Sequence, residues 1–134
     1  MGTGVFYESD FDSNIISKLE HYANKLILAL EDIIEIISDC GEANSSTIKK
    51  VKEKYEVATN YLLDLKSILD LYCKKYKDED YNYYKKELEV YDDEYINDAI
   101  TGWILNEPRE IIIDNIFSIC YKVRELLRKS NNKQ

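Results

Sequence analysis

Three acidic side chains in the first half of the chain have the types and spacing for metal chemistry. Glu31, Asp32 and Glu35 lie within five positions of a long apolar segment. If the segment is helical, residues three or four positions apart share one side, where carboxylates can approach a common Mg²⁺ or Mn²⁺ ion. On the same helix Glu31 borders the apolar side and Glu35 points outward, as solvated surface acids do. The spacing therefore leaves two hypotheses open, a metal site and a plain acidic flank.

The stretch EDIIE at residues 31–35 resembles the first half of the magnesium site of the all-helical MazG-like nucleotide pyrophosphohydrolases. In that family acids from two helices hold metal ions against a triphosphate, and a Glu-x-x-Asp step on the next helix supplies the second half. The one such step here, Glu89 to Asp92, lies on the third predicted helix, 58 positions after Glu31. The resemblance implies a metal-dependent nucleotide hydrolase, which we keep as an alternative function.

Other catalytic and cofactor signatures do not occur in the sequence. The single histidine, His21, falls on the polar side of its helix, so nucleophilic triads and histidine-containing di-iron sites are not expected. No glycine-rich phosphate loop is present. Cys40, Cys73 and Cys120 match no zinc motif, and their places on an up-down bundle predict three free thiols. We expect no enzyme activity, no cofactor and no metal in the leading interpretation.

Four amphipathic helices are predicted from the spacing of the apolar residues. Their approximate limits are 13–39, 45–76, 78–102 and 106–129. Glycine (4) and proline (1) are too scarce for a sheet protein with many tight turns. Short connectors make consecutive helices antiparallel neighbours. The predicted fold is an all-α, four-helix up-down bundle, one domain over residues 1–134, in which residues 1–11 are flexible or partly docked and residues 130–134 are flexible.

Tyrosine dominates the inward seam of the third predicted helix. Because buried phenol hydroxyls need hydrogen-bond partners, this helix is expected at the edge of the core with its hydroxyls at the rim. Gly102 is expected to end it, and Gly41 is expected to form the C-terminal cap of the first helix. The seam comprises Tyr81, Tyr84, Leu88, Tyr91, Tyr95 and Ala99.

The net charge of −8 limits the choice of partner. Nucleic acid is not expected, because binding to phosphate chains needs clustered Lys and Arg. No apolar run approaches the ~20 residues of a membrane span, and the first ten residues lack the basic start of a signal peptide. The four predicted helical segments carry charges of −7, +4, −7 and +2, which disfavours placing the first and third side by side. We expect a cytoplasmic protein whose partner is another protein with a basic surface.

Two surfaces are candidates for binding such a partner. The first is apolar and the second acidic and aromatic, and for both the alternative is an ordinary solvated helix face. The leading interpretation is a non-enzymatic acidic protein-binding module of the inhibitor or immunity type, and a structural homodimer is a further alternative. The apolar set comprises Leu28 and Ile36 on the first helix with Ile111, Phe117 and Tyr121 on the fourth, and the acidic set comprises Tyr83, Glu87, Asp92, Asp93, Glu94 and Asp98.

Overall fold

The computed structural model describes residues 8–133, with side chains from 14 to 131, and this range contains five α-helices. No strand occurs in that range, and the all-α class is confirmed. One long third helix was predicted, whereas the structure has two short ones in its place. The elements are α1 (Glu8–Asp39), α2 (Ser45–Lys75), α3 (Glu79–Glu89), α4 (Asp93–Ile104) and α5 (Arg109–Lys133).

The interruption between α3 and α4 is explained by a capping residue. Asp92 has an extended backbone, and its Oδ1 accepts a hydrogen bond from the backbone N–H of Tyr95 at 2.8 Å. This satisfies one of the free donors at the start of α4. Asp78 caps α3 in the same way. The apolar spacing continues across the interruption, so periodicity alone predicts one helix where the caps define two.

Gly102 does not end its helix, contrary to the sequence prediction. It is buried inside α4, where a Cβ atom would meet the carboxylate of Glu107, and its carbonyl accepts a hydrogen bond from the N–H of Glu107 at 2.9 Å. The chain reverses instead at Asn106, which has a φ of 65°. Asparagine tolerates this left-handed conformation better than most residues.

Gly41 does not form the C-terminal cap of α1 that was predicted, because no described glycine has the positive φ of such a cap. The cap comes from α5 instead. Arg109 Nη1 donates hydrogen bonds to the carbonyls of Cys40 at 2.8 Å, Ser38 at 3.0 Å and Ile37 at 3.3 Å. The positive charge of the arginine also interacts favourably with the partial negative charge at a helix C-terminus. One guanidinium thereby fastens the start of α5 to the end of α1.

The core lies where α1 packs along α2 and α5. The shorter helices α3 and α4 each contact α2 and α5. The principal neighbours of α1 are therefore the two segments of positive charge, in agreement with the charge alternation. Within the described range, no helix combines the length and apolarity needed to cross a bilayer. Fully buried members of the core include Leu19, Leu26, Leu30, Ile33, Leu62, Leu65, Leu69, Leu88, Ile96 and Ile112.

Two segments lie deeper than predicted. Tyr81 is fully buried, and its ring meets that of Tyr72 edge-to-face at 4.6 Å, so α3 places a tyrosine inside the core and not only at its rim. Ser130 is also fully buried and donates to Glu20 at 2.9 Å, so the helix remains docked where a flexible end was expected. Of the predicted flexible start, residues 8–11 belong to α1, and residues 1–7 lie outside the described residues.

Candidate binding groove

The acids of the metal hypothesis are held by different neighbours. The Glu31 carboxylate pairs with Arg124 of α5, and the Asp32 carboxylate pairs with Lys54 of α2 at 3.1 Å. Glu35 is exposed. The two acids that could begin a metal site thus already face cations on two separate helices.

The second half of that hypothetical site is also divided. Glu89 is the last residue of α3, and Asp92 caps α4. Among the described side chains there is no group of three or more His, Cys, Asp or Glu residues placed to hold a metal ion. The structure therefore does not bring together the acids that the pyrophosphohydrolase resemblance requires.

A cleft of about 440 Å³ between α1 and α2 contains one predicted interface residue, Ile36. Ile36 is half-buried against the core and does not project from the back of α1 as predicted, because α2 covers this side of the helix. It is therefore not part of a shared apolar face with α5. The cleft is lined by Asp32, Glu35, Ile36, Asp39, Cys40, Thr47, Lys50 and Lys54.

The three cysteines are free thiols, as predicted. Burial raises the pKa of Cys120 to about 11, although Arg124 opposes the change. Burial likewise raises the pKa of Cys73, and Lys85 opposes it. Because the thiolate is the nucleophile, a raised thiol pKa makes both side chains poor nucleophiles near neutral pH.

Three predicted interface residues lie on the outward side of α5. Ile111, Phe117 and Tyr121 expose 57%, 43% and 54% of their surfaces. Their positions fall within one half of the helix circumference at 100° per residue. The three predicted residues therefore share one side of α5, together with the exposed polar residues Asp114 and Ser118, and we call the three the apolar strip of α5.

Two hollows run beside this strip and meet at a pair of tyrosine rings, Tyr91 and Tyr95, whose centroids lie 5.0 Å apart edge-to-face. The hydroxyl of Tyr95 donates a hydrogen bond to the carbonyl of Asn115 at 3.4 Å. This bond holds the Tyr95 ring in place between the two hollows. We call the two hollows together the α4–α5 groove. One, of about 380 Å³, is lined by Tyr91, Asp114, Phe117, Ser118, Tyr121 and Lys122, and the other, of about 370 Å³, by Tyr95, Asp98, Ala99, Glu107, Ile111, Ile112 and Asn115.

The charged side chains of the groove are mostly acidic. Asp98, Glu107 and Asp114 line it, and none of the three forms an ion pair with a described side chain. Its one base, Lys122, is held by Glu87 at 2.8 Å, and this pairing raises the pKa of the lysine. The groove therefore presents apolar and aromatic surface with uncompensated negative charge.

Tyr83 adjoins the groove through Lys122. The lysine Nζ lies 5.6 Å from the centre of the Tyr83 ring, and the Tyr83 hydroxyl donates to Glu87 at 3.2 Å. Half of the Tyr83 surface is exposed. The structure thus places this residue of the predicted acidic set beside the apolar strip of α5.

Of the other acids of that set, Glu87 contacts Tyr83 and Lys122, and Asp98 lines the groove, whereas Asp92, Asp93 and Glu94 lie at the helix interruption. Asp92 is occupied as the cap of α4, and the carbonyl of Asp93 accepts a hydrogen bond from the Tyr55 hydroxyl of α2 at 3.3 Å. Glu94 is exposed. Asp92 and Asp93 therefore stand at the junction of α4 with α2, away from a common face with Tyr83.

Leu28 lies on α1 beyond the ion pair that borders the groove. It is 54% exposed and precedes Glu31 by three positions, about one helical turn. Arg124, the partner of Glu31, lies 5.7 Å from the centre of the Phe117 ring. Leu28 is therefore not among the residues that line the groove, and it lies about one helical turn before the acid whose ion pair borders it.

Some groove residues were not selected from the sequence. Tyr91 and Tyr95 were assigned to the core, and Asp114 was not considered. A signal for them does exist in the sequence: residues 92–121 contain seven acidic residues and one basic residue, Arg109, and thus carry a net charge of −6. Such a concentration of charge beside outward apolar residues could have identified this part of the chain.

Comparison of the chain with protein-family models, with curated proteins and with solved structures gives no match.

Proposed function

We propose that this protein is a non-enzymatic, protein-binding module and that the α4–α5 groove is its binding site. One observation carries the proposal: Ile111, Phe117 and Tyr121 are exposed on one side of α5, next to two hollows joined by a tyrosine pair. Aromatic residues are enriched in protein interfaces, and contiguous exposed apolar surface on a folded domain commonly marks one.

The groove suits a small inhibitor or immunity-type protein that acts in the cytoplasm. Such a protein needs a rigid surface that can cover a partner, and here the walls of the groove rest on buried core residues such as Ile112 and Ile116. We propose that α3 and α4 together act as the third rod of an up-down bundle and that α5 is the rod that presents the binding strip.

The two alternatives receive less support from the contacts. A homodimer built on the α4–α5 groove would place the same acidic surface against itself across a two-fold axis, where like charges repel. A metal-dependent nucleotide hydrolase would need Glu31 and Asp32 to exchange their cationic partners, Arg124 and Lys54, for a metal ion.

The test replaces Phe117 and Tyr121 together with serine and compares retention of proteins from an extract of the native host. The double variant should lose a protein that the wild-type chain retains in stoichiometric amount, because truncation of central aromatic anchors commonly costs 2 kcal/mol or more each, about thirtyfold in affinity. Both side chains are partly exposed, so the fold should be preserved, as helical circular dichroism will show.

The matched control replaces Leu63 and Leu71 with serine. These leucines are 60% and 46% exposed on α2, so the control removes a similar amount of apolar surface from another helix. Its retained proteins should equal those of the wild type. Equal retention by the groove variant and the control, or no stoichiometric partner at all, refutes the groove as the binding site.

A further inference from the structure

We infer that the α4–α5 groove accepts a basic amphipathic helix of the partner protein. The inference rests on the proposed function, because it names the element of the partner that the groove binds. Helix-in-groove recognition uses apolar anchors at positions i, i+3 or i+4, and i+7 of the bound helix, and the groove offers the receiving surface for such anchors.

The spacing of the two hollows agrees with the pitch of a helix. Along α5, one hollow is lined by Ile111 and Asn115 and the other by Phe117 and Tyr121. Their midpoints are six residues apart, which is about 9 Å at 1.5 Å per residue. Two turns of a bound helix advance about 11 Å, so anchors at i and i+7 can enter the two hollows.

The tyrosine pair between the hollows determines which side chain of the bound helix fits between the two anchors. Tyr91 and Tyr95 stand edge-to-face, and the Tyr95 hydroxyl is held on the backbone of Asn115. A small or medium side chain at i+3 or i+4 can rest on these rings, and an aromatic face also attracts a lysine or arginine stem.

The charge of the groove determines which charge the bound helix must carry. Asp98, Glu107 and Asp114 line the groove, and Glu110 is exposed just beside it on α5. The only base in the walls is already paired with Glu87. Lys and Arg on the flanks of a bound helix would find carboxylates on both sides of the groove, whereas an acidic helix would meet like charge. A second copy of this groove would meet the same repulsion.

The experiment measures fluorescence anisotropy of labelled synthetic helices with the full-length protein. The first peptide has leucine at i, i+3, i+4 and i+7 repeats with lysine elsewhere, over about five helical turns. The second replaces every lysine with glutamate. The third keeps the composition of the first in scrambled order. The lysine helix should bind saturably, with an affinity at least ten times that of the other two, and should weaken as salt rises because its charge contacts are screened.

Variants locate the bound peptide. Replacing Asp98 and Asp114 with asparagine should lower the affinity of the lysine helix about tenfold, and replacing Phe117 and Tyr121 with serine should abolish saturable binding. Glu53 and Glu56, exposed on α2 away from the groove, provide the control: their replacement with glutamine removes the same charge and should leave the affinity unchanged.

The outcomes separate the two proposals. If the groove variant loses a host partner but the lysine and glutamate helices bind equally or not at all, the groove is the binding site and the basic-helix inference is wrong. If the asparagine and glutamine variants weaken the lysine helix equally, the peptide reads overall charge, which also refutes the inference. If the lysine helix binds in the groove but no host partner depends on Phe117 and Tyr121, the proposed function fails by its own test.

Discussion

Buried titratable groups show how single residues make this fold sensitive to alkaline pH. Tyr81 is fully buried, and burial raises its pKa to about 12, against a smaller opposite effect of a hydrogen bond with Ser130. Burial raises the pKa of Cys120 to about 11. Both groups hold their protons more tightly in the folded chain than in the unfolded chain. Their ionisation must therefore oppose folding.

The free energy of unfolding should fall as the pH rises from about 9 to 12. The unfolded thiol loses its proton near pH 9 and the folded one near pH 11, so Cys120 alone should remove about 2 kcal/mol by pH 11. Tyr81 adds its effect above pH 10. Urea unfolding at a series of pH values measures the slope.

Variants that cannot ionise are the control for this slope. Cys120→Ala should flatten the decline between pH 9 and 11, and Tyr81→Phe should flatten it between pH 10 and 12, whatever each change does to stability at pH 7. A decline of unchanged slope in both variants would show that other groups control the alkaline response.

At the residue scale, the sequence predicted which residues are buried better than it predicted which residues they contact. Leu19, Leu26 and Leu30 are fully buried at the spacing of the amphipathic pattern that predicted the first helix, because burial on a long helix follows its period. Ile36 was misplaced because the approach of α2 determines its burial, and the position of a neighbouring helix cannot be read from the spacing on α1. The pairing of Arg109 with α1 was missed for the same reason.

At the element scale, the joint between α3 and α4 depends on one carboxylate. Asp92 accepts the N–H of Tyr95, and without it the first turn of α4 would keep an unsatisfied donor. The groove depends on this turn, since Tyr95 lies in it and forms one side of the tyrosine pair.

Replacing Asp92 with alanine should lower the free energy of unfolding by about 1 kcal/mol, the usual cost of losing an N-cap. Thermal unfolding measures the change. Asparagine also accepts a capping hydrogen bond, so Asp92→Asn should retain most of the stability and separates the cap from the charge. An asparagine variant as unstable as the alanine variant would mean that the charge of Asp92, and not its cap, stabilises this turn.

The sequence indicated the helices well and their interruptions poorly. The limits of α1 at Asp39 and of α2 at Ser45 agree with the predictions, because Asn44 and the polar loop mark a change of pattern. Between α3 and α4 the pattern does not change, and Asp92 is one acid among several. Only the backbone conformation identifies which of them caps a helix.

At the scale of the whole molecule, the charge is distributed unevenly. The positive segments of α2 and α5 flank the acidic α1, and residues 92–121 form a second acidic region with a net charge of −6. The alternation of charge between successive segments predicted which helices are neighbours of α1. They did not predict the groove, because its walls come from α4, α5 and the link at Tyr91, which meet only in the folded chain.

The protein should be a monomer in solution at moderate ionic strength. Its exposed apolar strip is bordered by Asp98, Glu107 and Asp114, and two copies that met through it would place these acids together. Static light scattering after gel filtration should give the mass of one chain, 15.8 kDa. If the chain associates only when the salt concentration is raised, charge repulsion is what keeps it monomeric, because salt screens that repulsion. A dimer at low salt that dissociates in the Phe117→Ser and Tyr121→Ser double variant would instead favour the homodimer alternative.

The contact of Arg109 with the last carbonyls of α1 joins positions 69 to 72 residues apart. During synthesis, α1 and α2 leave the ribosome well before this arginine, so a nascent chain can form their hairpin while the final turn of α1 still lacks its donor. We expect that turn to close only when α5 docks, which would make it one of the last parts of the molecule to acquire protection of its amides from exchange.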